Sequence, residues 1–330
     1  MPTWGELLKE LQQLVKAKVA LPEGTSPFDF LRRKYIAAMA QRTRRNVILY
    51  ASKWTQPGAN PALTSINDED IHGFMEVVHG LGGDELDLVV HSPGGSAEAT
   101  EAIVTYLRTK FQHIRLFVPH AAMSAATMLA CAADRIVMGK HSFLGPIDPQ
   151  FIFQTDGVIS ASPAQAILEQ FALAQKECQN PALLGSWMPI LRQYAPALIV
   201  QCKYAQELSR SLVSTWLARH MLRNDVERDK RATFIAGALS DHARYKSHGR
   251  FIPRDELRKL GLLIDDLESD QGLQDDALSI YHATSHTFNA TNAVKIIENH
   301  LGKAFIKTQQ TLAMQQVIEQ RPFPPPPPQP

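Results

Sequence analysis

The chain is predicted to be α/β, with a parallel sheet covered by helices on both faces. Short apolar runs recur at 47–50, 86–90, 114–118 and 135–138, and such runs suit strands buried on both faces. Between them lie stretches of helical length with apolar residues three and four apart. Alternation of this kind implies right-handed crossovers and parallel pairing.

Taken in order, Trp4, Leu7, Leu8, Leu11 and Val15 mark an amphipathic helix over about 4–18, whose apolar stripe needs a partner. Residues 21–27 interrupt it, and a second helix follows over 28–41. A strand is expected at 45–51, then a helix at 68–81 with Asn67 as its cap, a strand at 86–91 and a turn at Ser92-Pro93-Gly94-Gly95. A helix carrying Ile103, Leu107 and Phe111 leads to a strand at 114–118, a helix from Ser124 and a strand at 135–138. From 163 to 238 the pattern is helical, with breaks near Pro181, Pro189 and Pro196, and reads as an inserted arm. A helix led by Pro253 ends at Gly261, the acidic stretch 265–276 reads as loop, and two further helices are expected at 275–286 and 290–301. Five prolines, 324–328, make the last residues a polyproline II extension.

At 45% hydrophobic and 20% charged, the 330 residues are neither a disordered chain nor a small disulfide scaffold. With 34 basic against 33 acidic residues, whole-chain charge gives no case for nucleic acid or anionic membrane as partner. Cys131, Cys178 and Cys202 lack metal-type spacing and suit a reducing compartment. The first residues lack a basic start followed by an apolar stretch, so a cytoplasmic protein is expected. The run 116–133 approaches the about 18 apolar residues of a membrane helix, but Pro119, His120, Ser124 and Thr127 break it into a buried strand and a buried helix. The basic clusters Arg32-Arg33-Lys34 and Arg42 to Arg45 read as a solvated helix face.

Three local features carry chemistry. The turn at Gly94-Gly95 lets backbone amides face an oxyanion without side chains in the way, and it lacks the glycine spacing of a nucleotide loop. Ser124 stands at a strand-to-helix junction among alanines, where a serine is either a helix cap or a nucleophile. Asp148 is held between Pro146 and Pro149, which suits a rigidly placed carboxylate as well as a plain turn. Among twelve histidines, His120, His141, His242 and His248 lie near these features in sequence, and Lys140 adjoins His141.

His91-Ser92-Pro93-Gly94-Gly95, the run Val118-Pro119-His120-Ala121-Ala122-Met123-Ser124-Ala125-Ala126-Thr127, the segment 133–139 (ADRIVMG) and the segment 144–150 (LGPIDPQ) together resemble the serine dehydrogenase proteinase family. That family is grouped with the Clp-fold serine peptidases, beside Clp protease and signal peptide peptidase A. The resemblance covers about 45–264, and the segment 253–265 is similar to the closing helix and strand of Clp and crotonase folds.

The resemblance implies a Clp/crotonase-type α/β fold with a parallel sheet core, a helical insertion and terminal helices. Its parts would be a helical segment at 1–41, core at 42–162, arm at 163–240, closing core at 241–266, C-terminal helices at 267–321 and the tail at 322–330. It implies a serine peptidase that forms an acyl-enzyme on Ser124, with the amides of Gly95 and Ala125 as oxyanion hole. Asp148 becomes the orienting acid and His248 the base, ahead of His141 or a lysine such as Lys140. Gly249 follows His248 where the family pattern has an acidic residue. No metal and no organic cofactor is expected. The partners expected are a peptide or protein substrate and further copies of the chain, without nucleic acid and without a transmembrane segment. Two other readings compete: a catalytically inactive Clp-fold scaffold, and a crotonase-like acyl-CoA enzyme.

Overall fold

The computed structural model of the chain describes residues 3–16, 21–155 and 158–309. The polyproline stretch expected at 322–330 lies outside the described residues.

Two helices, α1 (Trp4–Lys16) and α2 (Pro27–Thr43), precede the first strand, β1 (Asn46–Ser52). Then come α3 (Pro61–Thr64), α4 (Asp70–Val78), β2 (Glu85–His91), α5 (Ala97–Lys110), β3 (His113–Val118), β4 (Ala121–Ala122), α6 (Ala125–Cys131) and β5 (Arg135–Met138). A short strand β6 (Phe143–Leu144) leads to the hairpin β7 (Gln150–Thr155) and β8 (Val158–Pro163), and to the helices α7 (Ala164–Glu177), α8 (Pro181–Leu191), α9 (Leu198–Arg219) and α10 (Arg228–Leu239). The chain continues through α11 (His242–Tyr245), β9 (Ile252–Pro253), α12 (Arg254–Leu260), β10 (Ile264–Asp266), α13 (Gln271–Ala290), β11 (Ala293–Asn299) and β12 (Ala304–Thr308).

The main sheet has seven strands in the order β10-β5-β3-β2-β1-β11-β12. The five from β10 to β1 are parallel, and β11 and β12 add antiparallel pairs at one edge. This is the expected α/β fold with a parallel sheet core. One face packs α4, α5, α6, α9 and α10 through Phe74, Ile103, Met128, Trp216 and Ile235. The other packs α2 and α13 through Ile36, Met39, Leu278 and Phe288. A small sheet of β4, β6 and β9 sits beside the carboxyl ends of the strands.

The stripe of α1 finds its partner within the chain. Leu7 and Leu11 are buried against Leu31 of α2 and Ala283 of α13, while Trp4 and Val15 stay exposed. The helix expected at 68–81 is α4, which begins at Asp70, and Asn67 does not cap it. The Asn67 side chain donates to the carbonyl of Ala62, and its backbone amide donates to Asp70 Oδ2 at 3.1 Å.

Two expectations are overturned by buried charge. The spacing predicts a helix over 290–301, yet 293–299 is β11, buried along its whole length. Lys295, Glu298 and Asn299 fall at intervals of three and four, as on the wet face of a helix. Here they are buried, and ion pairs or hydrogen bonds satisfy each of them. The basic clusters are likewise not simply a solvated face. Arg32 is wholly buried, paired with Glu298 and with Asp29, and Arg33 reaches the same Glu298 carboxylate at 2.7 Å. Arg45 is buried almost as fully, between Glu85 and Asp87. Lys34, Arg42 and Arg44 do remain open to solvent. The stretch 265–276 is also more ordered than a loop, since β10 runs to Asp266 and Asp270 caps α13 by accepting from the Leu273 amide.

Candidate active site

The parallel strands end together, and the turns that leave β2 and β4 meet at their carboxyl edge. Ser92 pairs with Ala122 across the gap, its amide donating to the Ala121 carbonyl at 3.2 Å and its carbonyl accepting from the Met123 amide at 2.9 Å. Beyond this bridge the chains come closer still. Gly94 has φ +90°, and a Cβ there would stand 2.7 Å from the Ala125 nitrogen and 2.8 Å from Ser124 Cβ. Only glycine satisfies both the left-handed backbone and the contact. At Gly95 a Cβ would stand 2.5 Å from the backbone nitrogen of Ile66, whose amide and carbonyl bond to Gly94 and Ser96. The Gly95 position is therefore clamped on one side by Ile66, with the Ser124 turn beside the neighbouring Gly94.

Ser124 occupies the position before α6 where a cap would stand, but it caps nothing. Its φ of 52° and ψ of −119° lie outside the ordinary regions for a residue with a side chain, and its hydroxyl makes no cap bond. A non-glycine residue in such a conformation costs on the order of 1–3 kcal/mol, and such outliers cluster at functional sites. Ala125, first in the helix, has no intrahelical acceptor for its amide.

The loop after β6 carries Asp148, whose side chain is completely buried. The Gly145 amide donates to Thr127 Oγ1, and the Ile147 amide donates to the carbonyl of Leu239, tying the loop to α6 and α10. Two histidines share the carboxylate. His248 Nδ1 lies 2.7 Å from Oδ1 and His242 Nδ1 lies 2.9 Å from Oδ2, with Gln150 Nε2 donating to Oδ2 at 3.0 Å. A carboxylate only accepts, so each imidazole presents a protonated Nδ1 to Asp148, and a neutral ring held this way has Nε2 as its acceptor. Both rings are partly open to solvent. Among the described residues no hydrogen bond joins Ser124 to either ring.

The structure thus brings Gly94, to which Gly95 is joined, against Ser124 and Ala125, and Asp148 together with His248. His141 is exposed beside Gly139. Lys140 is exposed too, its amide held by Glu268. Neither makes a hydrogen bond or ion pair with Asp148. His242 is one of four candidates by sequence, and nothing in the sequence shows that it shares the acid. It and His248 flank Lys246, whose φ of 63° reverses the chain. A lysine gives no signal for a left-handed backbone, so the convergence is invisible until the chain is folded.

On the α13 side of the same edge, His91, His120, Trp54 and Tyr281 form a ring cluster. The His91 ring centroid lies 5.0 Å from that of Tyr281, 5.4 Å from His120 and 5.5 Å from Trp54. Burial, with His120 adding to it, drives the His91 imidazole down to about 3. Burial and then His141 lower His120 as well. Among the described residues, no group of three or more His, Cys, Asp or Glu side chains is placed to hold a metal ion.

Residues 61–184 match the family model described as ClpP-like SDH-type serine proteinase, in agreement with the resemblance carried by the four motifs. Two uncharacterized proteins of Methanocaldococcus jannaschii are similar. One is 40% identical over 99 residues, covering 30% of this chain and 31% of its own length. The other is 37% identical over 91 residues, covering 27% of this chain and 32% of its own. The chain thus spans about a third of the length of these relatives. Among solved structures, a mutant of the 1510-N membrane-bound stomatin-specific protease aligns with a TM-score of 0.35 at 14% identity, over 61% of this chain and 75% of that one.

The ring cluster sets a pH dependence. The folded chain holds His91 neutral down to about 3, while an unfolded histidine takes up a proton near about 6.5. Between those values the unfolded state binds more protons, so the stabilisation is complete above about pH 6.5 and is lost as pH falls towards 3. The slope from this residue is at most about 1.4 kcal/mol per pH unit. Urea unfolding at about pH 7 and about pH 5 should show a smaller stability loss in His91→Phe than in the wild type, by up to ~2 kcal/mol. Equal losses in the two proteins would contradict the assignment.

Proposed function

We propose, from the ClpP-like SDH-type match over 61–184 and the geometry of the site, that the chain is a serine peptidase whose nucleophile is Ser124. The observation that carries this reading is the Ser124 backbone, held at φ 52° without a cap bond to explain it. In the proposed reaction Ser124 Oγ attacks the scissile carbonyl, and the amides of Gly95 and Ala125 stabilise the oxyanion that develops. His248 Nε2 accepts the hydroxyl proton and passes it to the leaving amine. Asp148 holds the imidazole through Nδ1 and stabilises its charged form. Water then hydrolyses the ester, with His248 as base again. Rotation of the Ser124 and His248 side chains on substrate binding supplies the bond that joins them, since catalytic hydrogen bonds often tighten only in the complex.

His248 is assigned as base because it makes the shorter bond to Asp148, and His242 is assigned the second oxygen, fixing the plane of the carboxylate. The proposed substrate is a peptide or protein. Cytoplasmic placement belongs to the same proposal, supported by three cysteines that form no disulfide. Among the described residues no helix is long and apolar enough to cross a membrane.

With a fluorogenic peptide or activated ester, Ser124→Ala should lower kcat on the order of a thousandfold or more, and His248→Ala nearly as much, because the members act as a unit. Asp148→Asn should cost less than either, and His242→Ala less than about tenfold. Full hydrolysis by folded Ser124→Ala would end the nucleophile assignment, and absence of hydrolysis by the folded wild type is what an inactive scaffold or an acyl-CoA enzyme requires. A large loss in His242→Ala with activity retained in His248→Ala would transfer the base to His242.

Assembly with further copies of the chain is also proposed. Its support is α8, which has no charged residue in its 11 positions and exposes Leu183, Leu184 and Met188. A helix apolar on all sides is normally buried, and only Trp187 of α8 is buried within the chain. Light scattering at micromolar concentration should give a multiple of 36.7 kDa, and a monomeric mass would contradict the proposal.

A further inference from the structure

A second buried charge cluster, which the proposed chemistry does not use, lies under the oxyanion turn. Lys295 of β11 places Nζ 2.7 Å from both carboxylate oxygens of Asp70, and both side chains are wholly buried. Desolvating two charges is costly enough that well-packed apolar residues would often be no less stable. Its purpose is therefore to be sought in its remaining bonds.

Those bonds converge on one residue. Lys295 Nζ also donates to the Ser65 carbonyl at 2.7 Å, and Asp70 Oδ2 accepts from the Asn67 amide at 3.1 Å. The ion pair thus grips the backbone on either side of Ile66. The Ile66 amide donates to the Gly94 carbonyl at 2.8 Å, and its carbonyl accepts from the Ser96 amide at 3.0 Å. Gly95 is pressed against the Ile66 backbone between those two bonds. Segment 65–67 belongs to no helix or named strand, so these bonds supply the rigidity that an element would give.

A second route reaches the same turn. The Tyr50 hydroxyl donates to Asp70 Oδ2 at 2.8 Å and also interacts with the Ser92 hydroxyl, which accepts from the Gly94 amide at 3.2 Å. Tyr50 is itself wholly buried.

We propose that the buried Lys295–Asp70 pair is a positioning device, which holds Ile66 against Gly94 and Ser96 and so aims the Gly95 amide at the oxyanion. This rests on the acyl-transfer reading above. Neither Lys295 nor Asp70 touches substrate. Their effect passes through two backbone segments, so it falls on the transition state, where the amide contributes, and not on ground-state binding.

The test replaces both partners, Lys295→Met with Asp70→Leu, because removing one alone strands a buried charge and can unfold the chain. In the folded double variant kcat should fall about ten- to a hundredfold while KM changes less than about threefold, part of what one oxyanion donor supplies. Tyr50→Phe, which keeps the ring and loses only the hydroxyl, should lower kcat several-fold with KM unchanged. It decides the matter if the double variant does not fold. A merely structural role would leave kcat at the wild-type value in any variant that is folded, and that result would overturn the inference alone. Full activity in folded Ser124→Ala would overturn the peptidase reading and this inference with it.

Discussion

Two backbones touch where the turn leaving β2 passes the start of α6, and the candidate site is built around that contact. A side chain at Gly94 would collide with Ser124 and Ala125, so the two turns approach as bare main chain. The same contact places Gly94-Gly95 beside the Ser124 turn and leaves Ser124 in a conformation that an ordinary helix start does not require. The parallel sheet supplies the frame. Its strands end at one level, and the Ser92–Ala122 bridge fixes the two turns before they meet.

Around this contact, charge is placed in the interior. Arg32 with Glu298 and Lys295 with Asp70 are buried pairs that join the antiparallel strand β11 to α2 and to α4. Pairs of this kind are weak evidence for stability and stronger evidence for a specified arrangement. They also explain why the far end of the chain resisted reading. An isolated view of 290–301 shows charged residues at helical intervals, and periodicity cannot tell a solvated charge from one that a distant residue neutralises. The partners of Lys295 and Glu298 lie more than two hundred residues earlier. Arg32 was misleading for the same reason.

What was legible was local. The strands β1, β2, β3 and β5 follow from apolar runs. Gly94-Gly95, Ser124 and the proline-flanked Asp148 each announce a turn whose geometry depends on neighbours in sequence. His248 needed the resemblance as well as the residues, and the structure sets it on Asp148 at 2.7 Å. His242 and the clamp formed by Ile66 were not legible. The first depends on a left-handed lysine, Lys246, and the second on a backbone that carries no residue-specific signal.

The central claim is that Ser124 is an activated nucleophile, and covalent labelling reads that most directly. Native protein treated with a fluorophosphonate and mapped by mass spectrometry should carry the adduct on Ser124 alone, and Asp148→Asn should slow its formation without moving it. Labelling elsewhere with Ser124 unmodified, or no adduct on a protein shown to be folded, would contradict the account.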